Sequence, residues 1–252
     1  KVNATITGDK SLSKRPYRLE FLKQFLMDLK PTRKQYLPIQ IKGHENCIQS
    51  NVKITKPSAQ MVSAATIAGM ISYGETVIEA PNNVRDHTTR ILKYLDYPIK
   101  VKNKKKKQII KVKGRQLLKP IQDYNIPSDP SSSAFLIAIA ILTKGSEIKI
   151  KNVCLNPYRI GFIKVLKRMK AKIEILNIRE ENNEVIGDIK INKSILNGTT
   201  VSKDEIPDLI DEIPIFTLLA SQAKGLTKVV GAEELKVKES NRLDAMKNFI
   251  LN

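Results

Sequence analysis

Ser131-Ser132-Ser133-Ala134-Phe135-Leu136-Ile137-Ala138-Ile139-Ala140-Ile141-Leu142-Thr143-Lys144-Gly145-Ser146-Glu147-Ile148-Lys149-Ile150 is the stretch from which the fold can be read. A hydroxyl-bearing loop leads into a small, wholly apolar helix, a glycine follows, and the run 148–150 alternates as a strand does. The polar loop Asn156-Pro157 comes next, then a helix carrying Phe162, Val165, Leu166 and Met169. Those four positions follow the i, i+3, i+4, i+7 spacing of one buried helix face.

The same order occurs on either side. Upstream, Ser58-Ala59-Gln60 opens an apolar helix to Ile71, followed by Gly74, a strand at 76–78 and the loop Arg85-Asp86-His87. A second helix then carries Thr88, Ile91, Leu92 and Leu95. Downstream, Asp211-Glu212 opens a helix over 213–223, followed by Gly225, a strand at 227–230 and Lys238-Glu239-Ser240. Its second helix carries Leu243, Met246 and Ile250. The glycines stand 71 and 80 residues apart, as an internal repeat requires. The first two copies continue into a pair of strands, at 99–101 and 109–112 and at 172–176 and 188–191, so the unit is βαβαββ in outline. The lysines of 104–107 are expected at a solvated hairpin tip.

Residues 1–43 resemble the second half of a further unit: a strand at 2–6, the loop Gly8-Asp9-Lys10, a helix with Leu22, Phe25, Leu26 and Leu29, and a strand at 38–42. The third copy stops inside its second helix. Both ends are therefore expected to be incomplete. A boundary is expected at 123–127, where Pro120 and Pro127 bracket a linker-like passage. Residues 1–122 would be the carboxy-terminal half of one repeat domain and 123–252 most of a second.

The 252 residues carry a net charge of +19 with 27% charged and 41% hydrophobic residues, a globular composition facing an anionic partner or substrate. Aromatics make up 5% and Trp is absent, which argues against base stacking on nucleic acid. The abundance of Lys, Ile and Asn also fits an AT-rich genome, so part of the charge excess need carry no function. The apolar runs 134–142 and 213–220 are too short to cross a bilayer. No signal-like stretch follows Lys1. Cys47 and Cys154 have neither metal nor disulfide spacing, so both read as reduced thiols of a cytoplasmic protein.

Loops at helix starts offer free N–H groups and the positive end of the helix dipole to anions. Here they also carry Arg15, Ser58, Gln60, Arg85, Lys238 and Arg242, which together suggest a basic site for a substrate with several negative charges. Singly, each Ser or Asp is equally a helix cap.

Thr7-Gly8-Asp9-Lys10-Ser11-Leu12-Ser13-Lys14-Arg15-Pro16 resembles the internal TGDxSLxxRP segment of the 5-enolpyruvylshikimate-3-phosphate synthase family. Ser58-Ala59-Gln60 resembles its SAQ segment, Arg85-Asp86-His87-Thr88 its RDHT, Asp129-Pro130-Ser131-Ser132 its DPSS and Asn156-Pro157-Tyr158-Arg159 its NPxR. Ile210-Asp211-Glu212 resembles IDE, and Val237-Lys238-Glu239-Ser240-Asn241-Arg242 resembles VKESDR. The matches lie in family order along essentially the whole chain.

The resemblance implies an α/β fold of two domains of βαβαββ units, the inside-out α/β barrel of enolpyruvyl transferases, with a cleft that closes on the substrates. It implies transfer of the enolpyruvyl group of phosphoenolpyruvate to the 5-hydroxyl of shikimate 3-phosphate with release of phosphate, in aromatic amino-acid biosynthesis. Ser58, Ala59, Gln60 and Arg85 would then hold shikimate 3-phosphate, Arg15 phosphoenolpyruvate and Arg242 its carboxylate. Lys238 would lie beside the reacting groups, Asp211 would be the leading candidate base, and Glu239 the proton shuttle to the methylene carbon. Two carboxylates among cations suit that chemistry without metal or organic cofactor. Asp211 could equally cap a helix, and Glu239 could pair with Arg242.

Val84, Ser128, Lys236 and Asn241 depart from the family pattern, and the segments PGDKSxSxR, GNxGT and the carboxy-terminal DHR are absent. The chain alone is therefore expected to be weakly active or inactive, and the intact enzyme a monomer with no nucleic-acid or membrane partner. Two alternatives stand beside this. The UDP-N-acetylglucosamine enolpyruvyl transferase of cell-wall synthesis would want a Cys in the loop 8–15, which has none. A basic nucleic-acid-binding module would show steep salt dependence.

Overall fold

The Ser58 hydroxyl accepts the Met61 amide at 3.4 Å, and the Asp129 carboxylate accepts the Ser132 amide at 2.9 Å. These two apolar stretches thus begin as helix where the sequence supplies a capping oxygen. These contacts come from a computed structural model of the chain, which describes residues 3–33, 36–120, 123–237 and 241–251. Packing divides the described residues into two compact units, one running to residue 120 and also taking in Val237, the other covering 123–236 and 241–251.

The first unit opens with β1 (Asn3–Ile6), β2 (Asp28–Arg33) and β3 (Tyr36–Lys42), ordered β1-β3-β2 with both neighbours antiparallel to β3. A full repeat follows: β4 (Asn51–Lys53), α1 (Ala59–Ile71), β5 (Glu75–Pro81), α2 (His87–Tyr94), β6 (Ile99–Lys104) and β7 (Lys107–Lys113). Its sheet runs β4-β5-β7-β6, with β4 parallel to β5 and the other pairs antiparallel. The opening sheet repeats the order of β5-β7-β6, as a half-unit should. Thr76, Ile78 and Ala80 of β5 and Ile110 and Val112 of β7 turn inward against Ala65 and Ala68 of α1. Burying a large aliphatic side chain such as Ile78 contributes about 1.5–3 kcal/mol. The expected hairpin tip forms at residues 105 and 106, and Lys107 leans back to Glu79 at 2.5 Å.

The second unit holds α3 (Pro130–Leu142), β8 (Glu147–Cys154), α4 (Gly161–Arg168), β9 (Ile173–Glu181) and β10 (Glu184–Asn192), with sheet order β8-β10-β9. A parallel bridge from Ser128 to Val153 stands where the first repeat has β4. The third copy continues with β11 (Thr200–Val201), α5 (Ile206–Leu209), α6 (Ile213–Ser221), β12 (Lys228–Val229) and α7 (Arg242–Leu251). There β11 lies parallel to β12, and an Asn197–Lys224 bridge extends the pair. Phe162, Val165, Leu166 and Met169 are all buried beside Ile189, Ile191, Phe216 and Leu219. The repeated glycines share one conformation: Gly74, Gly145 and Gly225 have φ of 84°, 74° and 86°. Each turns the chain from helix to strand through the left-handed region, which explains why the repeat keeps Gly there.

Two expectations need correction. Leu22, Phe25, Leu26 and Leu29 do not share an α-helix. A short 3-10 helix spans Glu20–Phe25, Leu26 closes it at φ 62°, and Leu29 lies in β2. The Leu26 amide bonds back to Leu22 and Lys23, leaving its side chain 45% exposed, and pairing with β3 claims the residues beyond. At the other end Leu243 and Met246 pack on the core, but Ile250 is 52% exposed. The contact of α7 with α6 runs through its first turns, where Thr217 Oγ1 meets Met246 Sδ at 3.2 Å, and Ile250 falls beyond it. Cys47 and Cys154 are buried and form no disulfide. No helix among the described residues is long and apolar enough to cross a membrane.

Candidate functional site

In each repeat two parallel strands are followed by loops that start helices, so both loops emerge at the same edge of the sheet. Ligands of open α/β sheets gather at that edge because the helix N-termini point at it. In the first unit the loop after β4 carries Ser58, Ala59 and Gln60, and the loop after β5 carries Arg85. The two helix starts are tied by a hydrogen bond of 2.7 Å between the Ser63 and Thr88 hydroxyls. Ser58, Ala59 and Arg85 are half-buried and Gln60 is exposed. The hydroxyl of Ser58 caps α1, so its capping and its candidate ligand role use the same oxygen. Val84 is only 4% exposed and belongs to the core cluster of this unit, so its departure from the family pattern adds an apolar contact.

Arg15 follows β1, on the separate sheet of the first unit. The Asp9 carboxylate accepts the Leu12 amide at 2.7 Å, and Ser13 Oγ donates to the Gly8 carbonyl at 3.0 Å. The loop is therefore closed by its own side chains before it presents Arg15, whose Nη2 lies 3.5 Å from Ser11 Oγ.

In the second unit Asp211 stands two residues before α6, and Arg242 opens α7. Arg242 Nη1 lies 3.8 Å from Asp211 Oδ1, both side chains retaining access to solvent. The candidate base and the candidate carboxylate anchor are thus neighbours, although 31 residues apart in the chain. Lys238 and Glu239 lie outside the described residues.

The corresponding loops of the second repeat carry a feature that the sequence reading did not single out. Arg159 Nη2 donates to Asp129 Oδ1 at 2.5 Å and to Ser131 Oγ at 3.0 Å. The Ser131 hydroxyl in turn donates to Glu212 Oε1. Burial pushes the Asp129 carboxyl up, but the Ser132 amide and hydroxyl and the Arg159 guanidinium outweigh it and hold the group below its ordinary value. The signal for this cluster was the repeat itself, because Asp129 and Arg159 occupy the places of Ser58 and Arg85.

A family model described as EPSP synthase (3-phosphoshikimate 1-carboxyvinyltransferase) matches residues 1–250. The 3-phosphoshikimate 1-carboxyvinyltransferase of Endomicrobium trichonymphae is 40% identical over 243 residues, 96% of this chain and 55% of that protein. That of Paracoccus denitrificans is 39% identical over 247 residues, 97% of this chain and 56% of that protein. An EPSP synthase structure from Acinetobacter baumannii superposes with a TM-score of 0.81 at 35% identity, covering 98% of this chain and 56% of the other. The enolpyruvyl transferase NikO of Streptomyces tendae shares the fold, at a TM-score of 0.66 and 14% identity over 90% of this chain and 52% of that one. The chain spans about half the length of the curated relatives it matches.

Proposed function

Because this chain belongs to the EPSP synthase family, we propose that it serves the transfer of the enolpyruvyl group from phosphoenolpyruvate to the 5-hydroxyl of shikimate 3-phosphate. The observation that carries this reading is the Asp211–Arg242 pair at 3.8 Å. A carboxylate beside a guanidinium at the mouths of two helix-starting loops can take a proton from an alcohol while the cation holds the acid group of the co-substrate.

The steps assigned to the chain's residues are these. Asp211 accepts the 5-hydroxyl proton as the oxygen bonds to C2 of phosphoenolpyruvate, whose methylene carbon takes a proton from Glu239. The resulting tetrahedral phospho-ketal loses inorganic phosphate as a proton leaves the methyl group, restoring the double bond. Ser58, Ala59, Gln60 and Arg85 are assigned to shikimate 3-phosphate, Arg15 and Arg242 to phosphoenolpyruvate, and Lys238 to the reacting groups. These acid–base steps call for no metal or organic cofactor. We assign the first unit to the carboxy-terminal half of one repeat domain and the second to most of the other. The intact enzyme is proposed to be a cytoplasmic monomer.

The test is phosphate release by the chain with both substrates, with each omitted in turn. Release that needs both and is lost in Asp211→Asn supports the reading. If the chain releases none, calorimetric binding decides. Preference for shikimate 3-phosphate over inorganic phosphate and UDP-N-acetylglucosamine supports the reading, and equal or no binding overturns it.

A further inference from the structure

We infer that Glu212, held through Ser131 and Arg159, is a positioning residue that fixes Asp211 against Arg242. The inference rests on the proposed role of Asp211 and concerns residues to which that reading gives no part.

Glu212 is an unusual residue for its place. It is the N-cap residue of α6, yet no side-chain capping bond is made, and the residue is 3% exposed. Burying a carboxylate costs several kcal/mol unless it is hydrogen-bonded and compensated. Its Oε1 instead accepts the hydroxyl of Ser131, from the first turn of α3, 81 residues earlier. Ser131 Oγ also accepts Arg159 Nη2, which at the same time holds the Asp129 carboxylate that caps α3. Charges alternate along this line, and it joins the helix-starting loops of the second repeat to the start of α6 in the third.

Asp211 is the residue before Glu212, so anchoring Glu212 anchors the backbone from which Asp211 projects. The Phe216 amide bonds to the Glu212 carbonyl at 2.8 Å, locking the same residue into the first turn of α6. Asp211 has less freedom than its partial exposure suggests. A base held by a rigid second contact keeps its reach and angle toward the group it deprotonates, and small misplacements are costly in rate. The second repeat has thus turned its own pair of loops inward as a brace, where the first repeat leaves Ser58 and Arg85 at its sheet edge.

The test reads Asp211 directly in the free chain. With the aspartate carboxyl carbons labelled, the Asp211 resonance is assigned by Asp211→Asn and followed in Ser131→Ala, Ser131→Thr, Arg242→Gln and the double variant Ser131→Ala/Arg242→Gln. Removing Arg242 is expected to move the Asp211 signal when Ser131 is present and to move it at least twofold less in the Ser131→Ala background. Ser131→Thr, which keeps the hydroxyl, is expected to restore the full response. Such non-additivity is the signature of coupled neighbours. A Ser131→Ala chain that loses thermal stability but leaves the Asp211 response to Arg242→Gln unchanged would overturn the inference, because Glu212 would then be only a structural bond. If Ser131→Ala does not fold, Arg159→Lys replaces it, keeping the charge while removing the nitrogen shared by Ser131 and Asp129. A chain that neither releases phosphate nor binds shikimate 3-phosphate selectively would sink the proposed function and leave this measurement standing. Selective binding without coupling would sink the positioning role alone.

Discussion

Asp188 holds together the bulge in β10 where the register shifts against both β8 and β9. Its carboxylate accepts from Asn177 Nδ2 at 2.8 Å and the Asn152 amide at 3.1 Å, and Lys149 lies 3.0 Å away. Both asparagines have positive φ, and each is tied to the same acid. The Asn177 side chain above all, then the Asn152 amide and Lys149, bring the Asp188 carboxyl down to about 2. A group with a depressed folded value stabilises the fold above its ordinary value, and that stabilisation is lost as pH falls toward 2. Asp188→Asn should therefore lower Tm at neutral pH and flatten the fall in Tm between about pH 4 and pH 2. A variant with the same acid profile as the parent would show that Asp188 carries no such linkage. None of these partners could be paired from the sequence, since they lie on two strands, β8 and β9, that flank the strand of Asp188.

The helix-to-strand glycines and the glycine inside α1 do different work at the scale of the element. A Cβ on Gly69 would stand 2.5 Å from Val112 Cγ1 and 2.9 Å from Thr76 Cβ, because α1 lies directly on β5 and β7 there. Overpacking of that kind costs about 1–3 kcal/mol, more than the ~1 kcal/mol a helix gains when alanine replaces glycine. Gly69→Ala should lower the urea midpoint of the chain. At Gly145 a Cβ meets nothing within 4 Å, but φ is 74°. Gly145→Ala should cost only the left-handed strain of about 1–2 kcal/mol, and Gly145→Asn less. A Gly69→Ala chain that gains stability, or a Gly145→Asn chain that loses as much as Gly145→Ala, would contradict this account. The Gly145 turn was legible in the sequence because glycine recurs at the same place in three copies. The Gly69 contact was not, because an isolated glycine in an apolar helix says nothing of what lies against it.

Across the whole molecule the net charge of +19 sets a field that attracts any anion, so affinity alone cannot separate a small substrate from nucleic acid. Their salt response can. Neutralising many phosphates along a strand makes binding fall steeply with salt, whereas one small ligand held by a few directed contacts loses less. Retention of a single-stranded oligonucleotide should therefore vanish by about 0.15 M salt while shikimate 3-phosphate binding persists, weakened. The reverse order, measured by fluorescence anisotropy and calorimetry, would favour the nucleic-acid alternative. By itself the sequence determined the unit and its order: glycine spacing and helix periodicity are local, and three copies reinforce one another at Gly74, Gly145 and Gly225, whereas the cap of the second copy lies at Asp129, two residues before the Ser131 at which the repeat pattern starts. Local rules misled where a competing partner was distant, at Leu26 and Leu29, which yield to the pairing of β2 with β3, and at Ile250, beyond the contact of α7 with α6. The bond between Ser131 and Glu212, and the approach of Arg242 to Asp211, were decided only by the tertiary structure. Each joins residues whose local sequence fits a plain helix start equally well, and the cost of burying Glu212 becomes visible only once the chain around it has folded.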